Sequence, residues 1–268
     1  MSTETVRSKD GTTIAFSRAG SGPALIFVDG ALCCRGFGPA EPMAKELAPH
    51  FTVITYDRRG RGESSNTQPY SVEREVEDLD ALIQAAGGSA YVVGVSSGAA
   101  LALEAANRGL AIKKVAVYEA PFIVDDTRTP IGEDFLPQLK QLIAADNRSA
   151  AVKQFMKAVQ VPAIGILMMQ LMPAWRKLKA VAPTLVHDIT IVGPYQHGKP
   201  LPAGRWSSIT QPTLVMDGSK SPEWMRNAQR ALARVVPGAK TRTLDGQTHM
   251  VNAKVLAPAV SEFFTATQ

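Results

Sequence analysis

The chain has 268 residues, 45% apolar, 20% charged and 6% aromatic, with 29 basic against 24 acidic residues and a net charge of +5. An ordinary apolar fraction with so small a net charge excludes intrinsic disorder, and no apolar run reaches the ~18 residues of a membrane span. The basic excess holds no block of about five like charges, so it reads as solvated surface and not as a nucleic-acid footprint. The polar start MSTETVRSKDGTT carries no apolar signal region. Cys33 and Cys34 are adjacent, a spacing that suits neither a disulfide nor a metal ligand set. These readings predict one large domain in the cytoplasm, monomeric or homodimeric, with no metal, cofactor, nucleic-acid or membrane partner.

In chain order, Thr5–Ser8 and Thr12–Arg18 flank Asp10-Gly11 and predict a hairpin. Ala24–Val28 and Phe51–Tyr56 are short apolar runs closed by turn residues, the pattern of buried parallel strands. Met43–Leu47 between them reads as helix. From Ser71 to Ala86, Val72, Val76, Leu79, Ile83 and Ala86 recur at helical spacing, with the carboxylates assigned to the opposite face. Ala90–Val95 then reads as strand, Ser97–Asn107 as helix and Lys114–Tyr118 as strand. This alternation predicts a mostly parallel, eight-stranded sheet with helices on both faces.

The alternation stops near Pro121. Residues 130–205 hold helical stretches (Phe135–Ala145, Ser149–Val159, Ile164–Met172) broken by prolines, and no clear strand. They read as a helical cap inserted after the sixth strand, between core segments 1–129 and 206–268. The pattern resumes with Thr213–Met216, Pro222–Val235, Lys240–Leu244 and Val255–Phe264 as strand, helix, strand and helix.

The most informative feature is Gly94-Val95-Ser96-Ser97-Gly98, a G-x-S-x-G between a buried strand and an Ala-rich helix. Strand, sharp turn and helix are the context this motif requires, and they lift Ser96 Oγ above the sheet beside a helix N-terminus. With this elbow, the N-terminal hairpin, the turn Asp57-Arg58-Arg59-Gly60-Arg61-Gly62-Glu63-Ser64 and a late histidine, the chain resembles the α/β-hydrolase superfamily over nearly its whole length. The resemblance implies the α/β-hydrolase fold with a helical cap, and an architectural role for the 57–64 turn.

A serine hydroxyl needs a base. Of four histidines, His50 reads as a surface turn residue, and His187 and His197 as polar residues of the cap surface or pocket. The resemblance points to His249, after the last strand, as the base. The common position of the acid, just past the seventh strand, holds Ser221 here. Asp217, or Asp125 and Asp126, are alternatives. The superfamily's second location, used by glutamate-type haloalkane dehalogenases, lies at the end of the sixth strand and holds Glu119. The reading adopted is Ser96–His249–Glu119, with Glu119 holding the tautomer of His249.

For the oxyanion hole the resemblance implies the N–H of Ser97 and that of Gly30 or Ala31. Asp29 stands where a carboxylate would repel a developing oxyanion. Its side chain must be turned away or neutralised, with Arg35 a candidate partner. Cys33 and Cys34 in the same loop read as small buried hydrophobes. Asp29-Gly30, Ser96-Ser97-Gly98-Ala99 and Glu119-Ala120-Pro121 together resemble zearalenone-type lactone hydrolases, a Ser-His-Glu group that opens a macrocyclic lactone beneath a helical cap. That resemblance implies Trp175 as a cap residue against substrate.

The methionine-rich cap, with Met168 and Met172 as further candidate contacts, suits apolar ligands. A hydrophobic small-molecule ester or lactone, cleaved through an acyl-enzyme on Ser96, is therefore the expected substrate. On the same fold the alternatives are carbon–carbon bond hydrolysis, acyl transfer, cofactor-free oxygenation or a non-catalytic ligand-binding module. The Ser–His pair argues against a pure binder.

Overall fold

Strand residues with alternating exposure to two apolar layers build the molecule. In the third strand Ile26 and Val28 face one layer, and Leu25 and Phe27 the other. The same period of two recurs in Val115 and Val117 against Ala116 and Tyr118, as a pleated strand requires. Both faces are thus apolar, so helices must cover both.

The computed structural model describes residues 2–266. Among these, eight strands form one sheet: β1 (Glu4–Arg7), β2 (Thr13–Ala19), β3 (Ala24–Val28), β4 (Thr52–Tyr56), β5 (Ala90–Val95), β6 (Ile112–Tyr118), β7 (Thr213–Gly218) and β8 (Lys240–Leu244). Their order is β1-β2-β4-β3-β5-β6-β7-β8. Only β2 runs antiparallel to its neighbours, β1 and β4; the remaining pairs are parallel.

Helices α1 (Ala40–Leu47) and α10 (Ala253–Thr265) bury Met43, Leu47, Leu256 and Phe264 on one face. The other face receives α2 (Val72–Ala85), α3 (Ser97–Asn107) and α9 (Glu223–Val235). Between β6 and β7 stand five further helices: α4 (Phe135–Ala144), α5 (Arg148–Ala158), α6 (Ala163–Gln170), α7 (Ala174–Val181) and α8 (Leu185–Val192). Leu139, Val152, Trp175, Leu185 and Ile189 carry these helices into the same core cluster as α2 and α3. Each fully buried side chain of this size contributes roughly 1.5–3 kcal/mol.

Three expectations are corrected. The first is an addition to the helical stretches expected of the insertion: 174–192 is helical in two pieces, α7 and α8. Its proline at 183 sits in the first turn of a short 3-10 segment, Ala182–Thr184, where the missing N–H costs no bond. Strand β7 runs on through Asp217 and Gly218, so Asp217 is a strand residue. The carboxylates of α2 do not all face water. Glu75 and Asp78 are buried, because the turn after β4 presents arginines to that face.

The elbow depends on close approach of β5 and α3 to the end of β3. A methyl group on Gly98 would enter the van der Waals shell of the Val28 and Asp29 carbonyl oxygens, which are backbone and cannot step aside. Gly98→Ala is therefore expected to lower stability by about 2–3 kcal/mol, read as a reduced urea midpoint. An unchanged midpoint would show that the elbow tolerates a wider separation.

Candidate active site

Ser96 closes β5 and caps α3 with φ 55° and ψ −127°, a conformation that costs a non-glycine residue on the order of 1–3 kcal/mol. It persists because its N–H donates to the Tyr118 carbonyl (2.9 Å) and its carbonyl accepts from Ala99 N–H (2.9 Å). The side chain is left half-buried, open to a reactant.

Glu119 follows β6, the strand next to β5, and is strained likewise, with φ 49°. Its N–H donates to the Met216 carbonyl (3.1 Å), and its Oε1 accepts from the Gly218 N–H (2.8 Å). The carboxylate is fully buried. Its Oε2 lies 2.9 Å from His249 Nδ1, and His249 Nε2 lies 3.2 Å from Ser96 Oγ. A carboxylate only accepts, so Nδ1 carries the proton and Nε2 faces the hydroxyl as acceptor. Of the predicted residues, Ser96, His249 and Glu119 therefore meet in one relay.

The histidine loop is held from below. Tyr118 donates its hydroxyl to the Thr248 carbonyl (2.6 Å), and the Lys220 N–H donates to the Gln247 carbonyl (2.9 Å). Neither Tyr118 nor Gly218 was singled out from sequence. The signal for Gly218 lay in the MDGS segment, where a residue with no side chain lets the loop approach.

None of the alternative acids bonds His249 among the described residues, and Asp126 is exposed. Asp217 is buried and lies 3.9 Å from Arg226 Nε. Asp125 accepts from the Thr127 N–H (3.1 Å) and from Asn227 (2.7 Å).

Gly30 approaches the nucleophile closely: a methyl group there would sit 2.9 Å from Ser96 Cβ and 3.4 Å from Oγ. Ala31, next in the loop, is half-buried, and its N–H has no hydrogen-bond partner among the described residues. Ser97, buried, opens α3, where first-turn N–H groups have no acceptor within the helix. Gly30 and Ser97, two of the candidate donors, thus flank Ser96.

Asp29 is resolved differently from the expectation. Arg35 does not reach it, but bonds Asp57 (3.1 Å) and Glu63. Burial pushes the Asp29 carboxyl up to about 7, against the pull of Arg61 and Arg58. Its Oδ1 is buried with no partner among the described residues. Burial also pushes the Cys33 thiol up to about 12, so it is a poor source of thiolate.

The 57–64 turn supplies Arg58, Arg59 and Arg61, all with at most 1% exposure. Arg58 bonds Glu75 (2.7 and 2.8 Å) and Asp188 (2.7 Å). Arg61 bonds Asp188 twice (2.9 and 2.7 Å), Thr184 (3.0 Å) and the carbonyls of Gly30 (2.6 Å) and Cys33 (3.1 Å). Sequence reasoning missed Asp188. Its signal was a single acid inside the apolar helix LVHDITIV.

The remaining predicted residues are not brought to this cluster by any recorded hydrogen bond or ion pair. Trp175 is buried against the inserted helices. Met168 and Met172 are 58% and 54% exposed, beside exposed Ile164, Leu167 and Leu171, and so do not line an enclosed cavity. Met250, next to His249, is 86% exposed. His50 and His197 lie at the surface. His187 is instead buried, stacked on Tyr70 at 3.8 Å between ring centroids.

The model of the Alpha/beta hydrolase family matches residues 31–258. The chain belongs to this family. An alpha/beta hydrolase from Sphaerobacter thermophilus is 49% identical, with a TM-score of 0.90 over 98% of this chain and 100% of that one. The esterase RhEst1 from Rhodococcus sp. shares the fold at 17% identity and a TM-score of 0.65, over 99% of this chain and 98% of that one. The uncharacterized hydrolase YraK of Bacillus subtilis is 31% identical over an alignment of 153 residues that covers 53% of this chain and 53% of that protein. The chain thus matches about half the length of that curated relative. The sheet, its order and its flanking helices are those of an α/β-hydrolase.

His187 gives the region a pH signature. Burial holds its imidazole down at about 4, against the attraction of Glu75 and Asp188. Above the unfolded value of 6.5 neither state carries the proton. As pH falls from there to about 4, only the unfolded chain takes it up, so stability is lost through that window. Relative to His187→Phe, the wild type is expected to lose about 2 kcal/mol at pH 5 compared with pH 7.5. Urea titrations at both values, with parallel losses for the two proteins, would refute a neutral buried imidazole.

Proposed function

We propose that the protein is a serine hydrolase cleaving a carboxylic ester or lactone of a hydrophobic small molecule. The observation that carries this reading is the unbroken relay from Ser96 Oγ through His249 to Glu119. His249 Nε2 takes the hydroxyl proton as Ser96 attacks the carbonyl carbon, and Glu119 stabilises the imidazolium so formed. The N–H groups of Ser97 and of Gly30 or Ala31 receive the oxyanion. Such donors are worth roughly 2.7–4 kcal/mol each.

His249 then returns the proton to the leaving alcohol. The same histidine activates a water that clears the acyl-enzyme. In a lactone the alcohol stays tethered, and the product is one hydroxy acid. Residues 130–205 act as a cap over this centre, with Trp175, Met168 and Met172 as its apolar contacts. The likeness to zearalenone-type lactone hydrolases supports the lactone arm, and the exposed apolar side chains of α6 support a hydrophobic substrate.

A panel of p-nitrophenyl esters and lactones, with a fluorophosphonate label, tests this. Wild type is expected to label at Ser96 and to turn over apolar esters or lactones. Ser96→Ala should lose label and activity, on the order of 10⁶-fold in kcat. Glu119→Gln should lose on the order of 10³- to 10⁴-fold, and Asp217→Asn less than about tenfold. Loss only in Asp217→Asn, with both proteins folded, would reassign the acid. An unlabelled Ser96 in folded protein would overturn the hydrolase reading.

A further inference from the structure

Arg58 and Arg61 do more than fill the space behind β4. Both donate to backbone carbonyls of the loop that follows β3, Arg58 to one and Arg61 to two. Arg58 Nη1 reaches the Asp29 carbonyl at 3.3 Å, and Arg61 Nη1 reaches the Gly30 carbonyl at 2.6 Å. In a trans peptide unit the carbonyl and the following N–H point in opposite directions. Holding the Asp29 carbonyl therefore aims the Gly30 N–H, and holding the Gly30 carbonyl aims the Ala31 N–H. These are the two candidate oxyanion donors of the loop. Gly30 itself lies against Ser96.

Both guanidinium groups converge on one carboxylate. Asp188 Oδ1 accepts from Arg58 Nη1 (2.7 Å), Arg61 Nη2 (2.9 Å) and the Ser97 hydroxyl (2.7 Å), and Oδ2 accepts from Arg61 Nη2 (2.7 Å). Ser97 is the residue that offers the third donor. Asp188 comes from α8, in the segment inserted between β6 and β7. It is 1% exposed, and it is the one carboxylate in an ion pair with Arg61 among the described residues.

We propose that Asp188 is a positioning residue for the oxyanion hole: through Arg58, Arg61 and the Ser97 hydroxyl it fixes the peptide planes that aim the Gly30 and Ala31 N–H groups at the scissile carbonyl. The proposal rests on the serine-hydrolase reading. Its consequence is that the donors of the core are set by a residue of the inserted helices, so docking of α8 and assembly of the hole are one event.

Electrostatics supports the geometry. Arg58 and Arg61 are balanced by Glu75 and Asp188. With that balance in place, burial dominates at Asp29 and drives its carboxyl up toward the neutral form. Without the Asp188 charge, Arg61 would be a buried cation with no carboxylate of its own. Of the charges acting on Asp29, that of Arg61 pulls hardest toward the ionised form, so an unpaired Arg61 would favour a negative charge in the loop that carries the Gly30 and Ala31 N–H groups.

The test compares Asp188→Asn with Asp78→Asn. Asp78 is equally buried and pairs with Arg59 (2.7 Å), which makes no bond to the loop. Both variants should lower thermal stability. Asp188→Asn is expected to reduce kcat about 10- to 100-fold with KM within about threefold, whereas Asp78→Asn should keep kcat within about threefold. Amide hydrogen exchange at Gly30 and Ala31 should quicken in Asp188→Asn alone, and this readout does not depend on turnover. Equal kcat in the two variants, or unchanged exchange at both amides, would overturn the proposal while Ser96→Ala remained inactive. An active Ser96→Ala would instead overturn the hydrolase reading and leave the exchange result to decide the positioning. Should Asp188→Asn fail to fold, Arg61→Lys keeps the charge but loses the fork on the Gly30 and Cys33 carbonyls, and the same split in kcat and exchange is expected; wild-type values in both would overturn the proposal.

Discussion

Three guanidinium groups sealed from water at one turn are the constraint on which the rest of the molecule depends. A buried cation costs several kcal/mol even after relaxation unless partners meet it. Arg58, Arg59 and Arg61 find theirs in widely separated segments: Asp10 of the hairpin, Glu75 and Asp78 of α2, and Asp188 of α8. No single one of these segments can satisfy the turn. The hairpin, α2 and α8 must all be docked before the three charges are paired. Carbonyls of the 29–33 loop complete the set. The turn thus registers core, loop and inserted segment against one another.

A second constraint is the sheet. Ser96 and Glu119 both adopt positive φ, at the ends of neighbouring parallel strands. The strain survives because ladder-like bonds continue past the strands, from Ser96 N–H to Tyr118 and from Glu119 N–H to Met216. Adjacent strands stand about 4.8 Å apart. One imidazole spans the gap between a hydroxyl on one and a carboxylate on the other. The separation of the two end groups is therefore a property of strand pairing, and only the histidine is delivered by a loop.

Much of this was legible in the sequence, for identifiable reasons. Apolar runs closed by glycine gave the parallel strands, because such strands are buried on both faces and show it in composition. The Gly94–Gly98 spacing gave the elbow, because only small residues allow β5 and α3 so close. What escaped the sequence was pairing across long separations. Glu75 and Asp78 sit at polar positions of an amphipathic pattern, and periodicity alone assigns such positions to water. The arginines that claim them lie 17 and 19 residues away in sequence. Asp188 is 127 residues from Arg61, beyond any local rule. Helices α7 and α8 were obscured by prolines that the structure places where a missing N–H does no harm. Composition marked the apolar side chains of α6 but not that several of them face solvent, because it does not tell which way a short helix turns.

The position of Glu119 has a consequence for the turn after β7. Because the carboxylate bonded to His249 follows β6, the segment Ser219–Pro222 holds no charge of the relay. Its links to the relay are backbone groups: the Gly218 amide before it bonds Glu119, and the Lys220 amide holds the Gln247 carbonyl of the histidine loop. The exposed side chain at 220 is consequently free to change, whereas an insertion that moved the backbone there would loosen the histidine loop. A handle or a reporter attached to that side chain would sit beside the centre without supplying any of its parts.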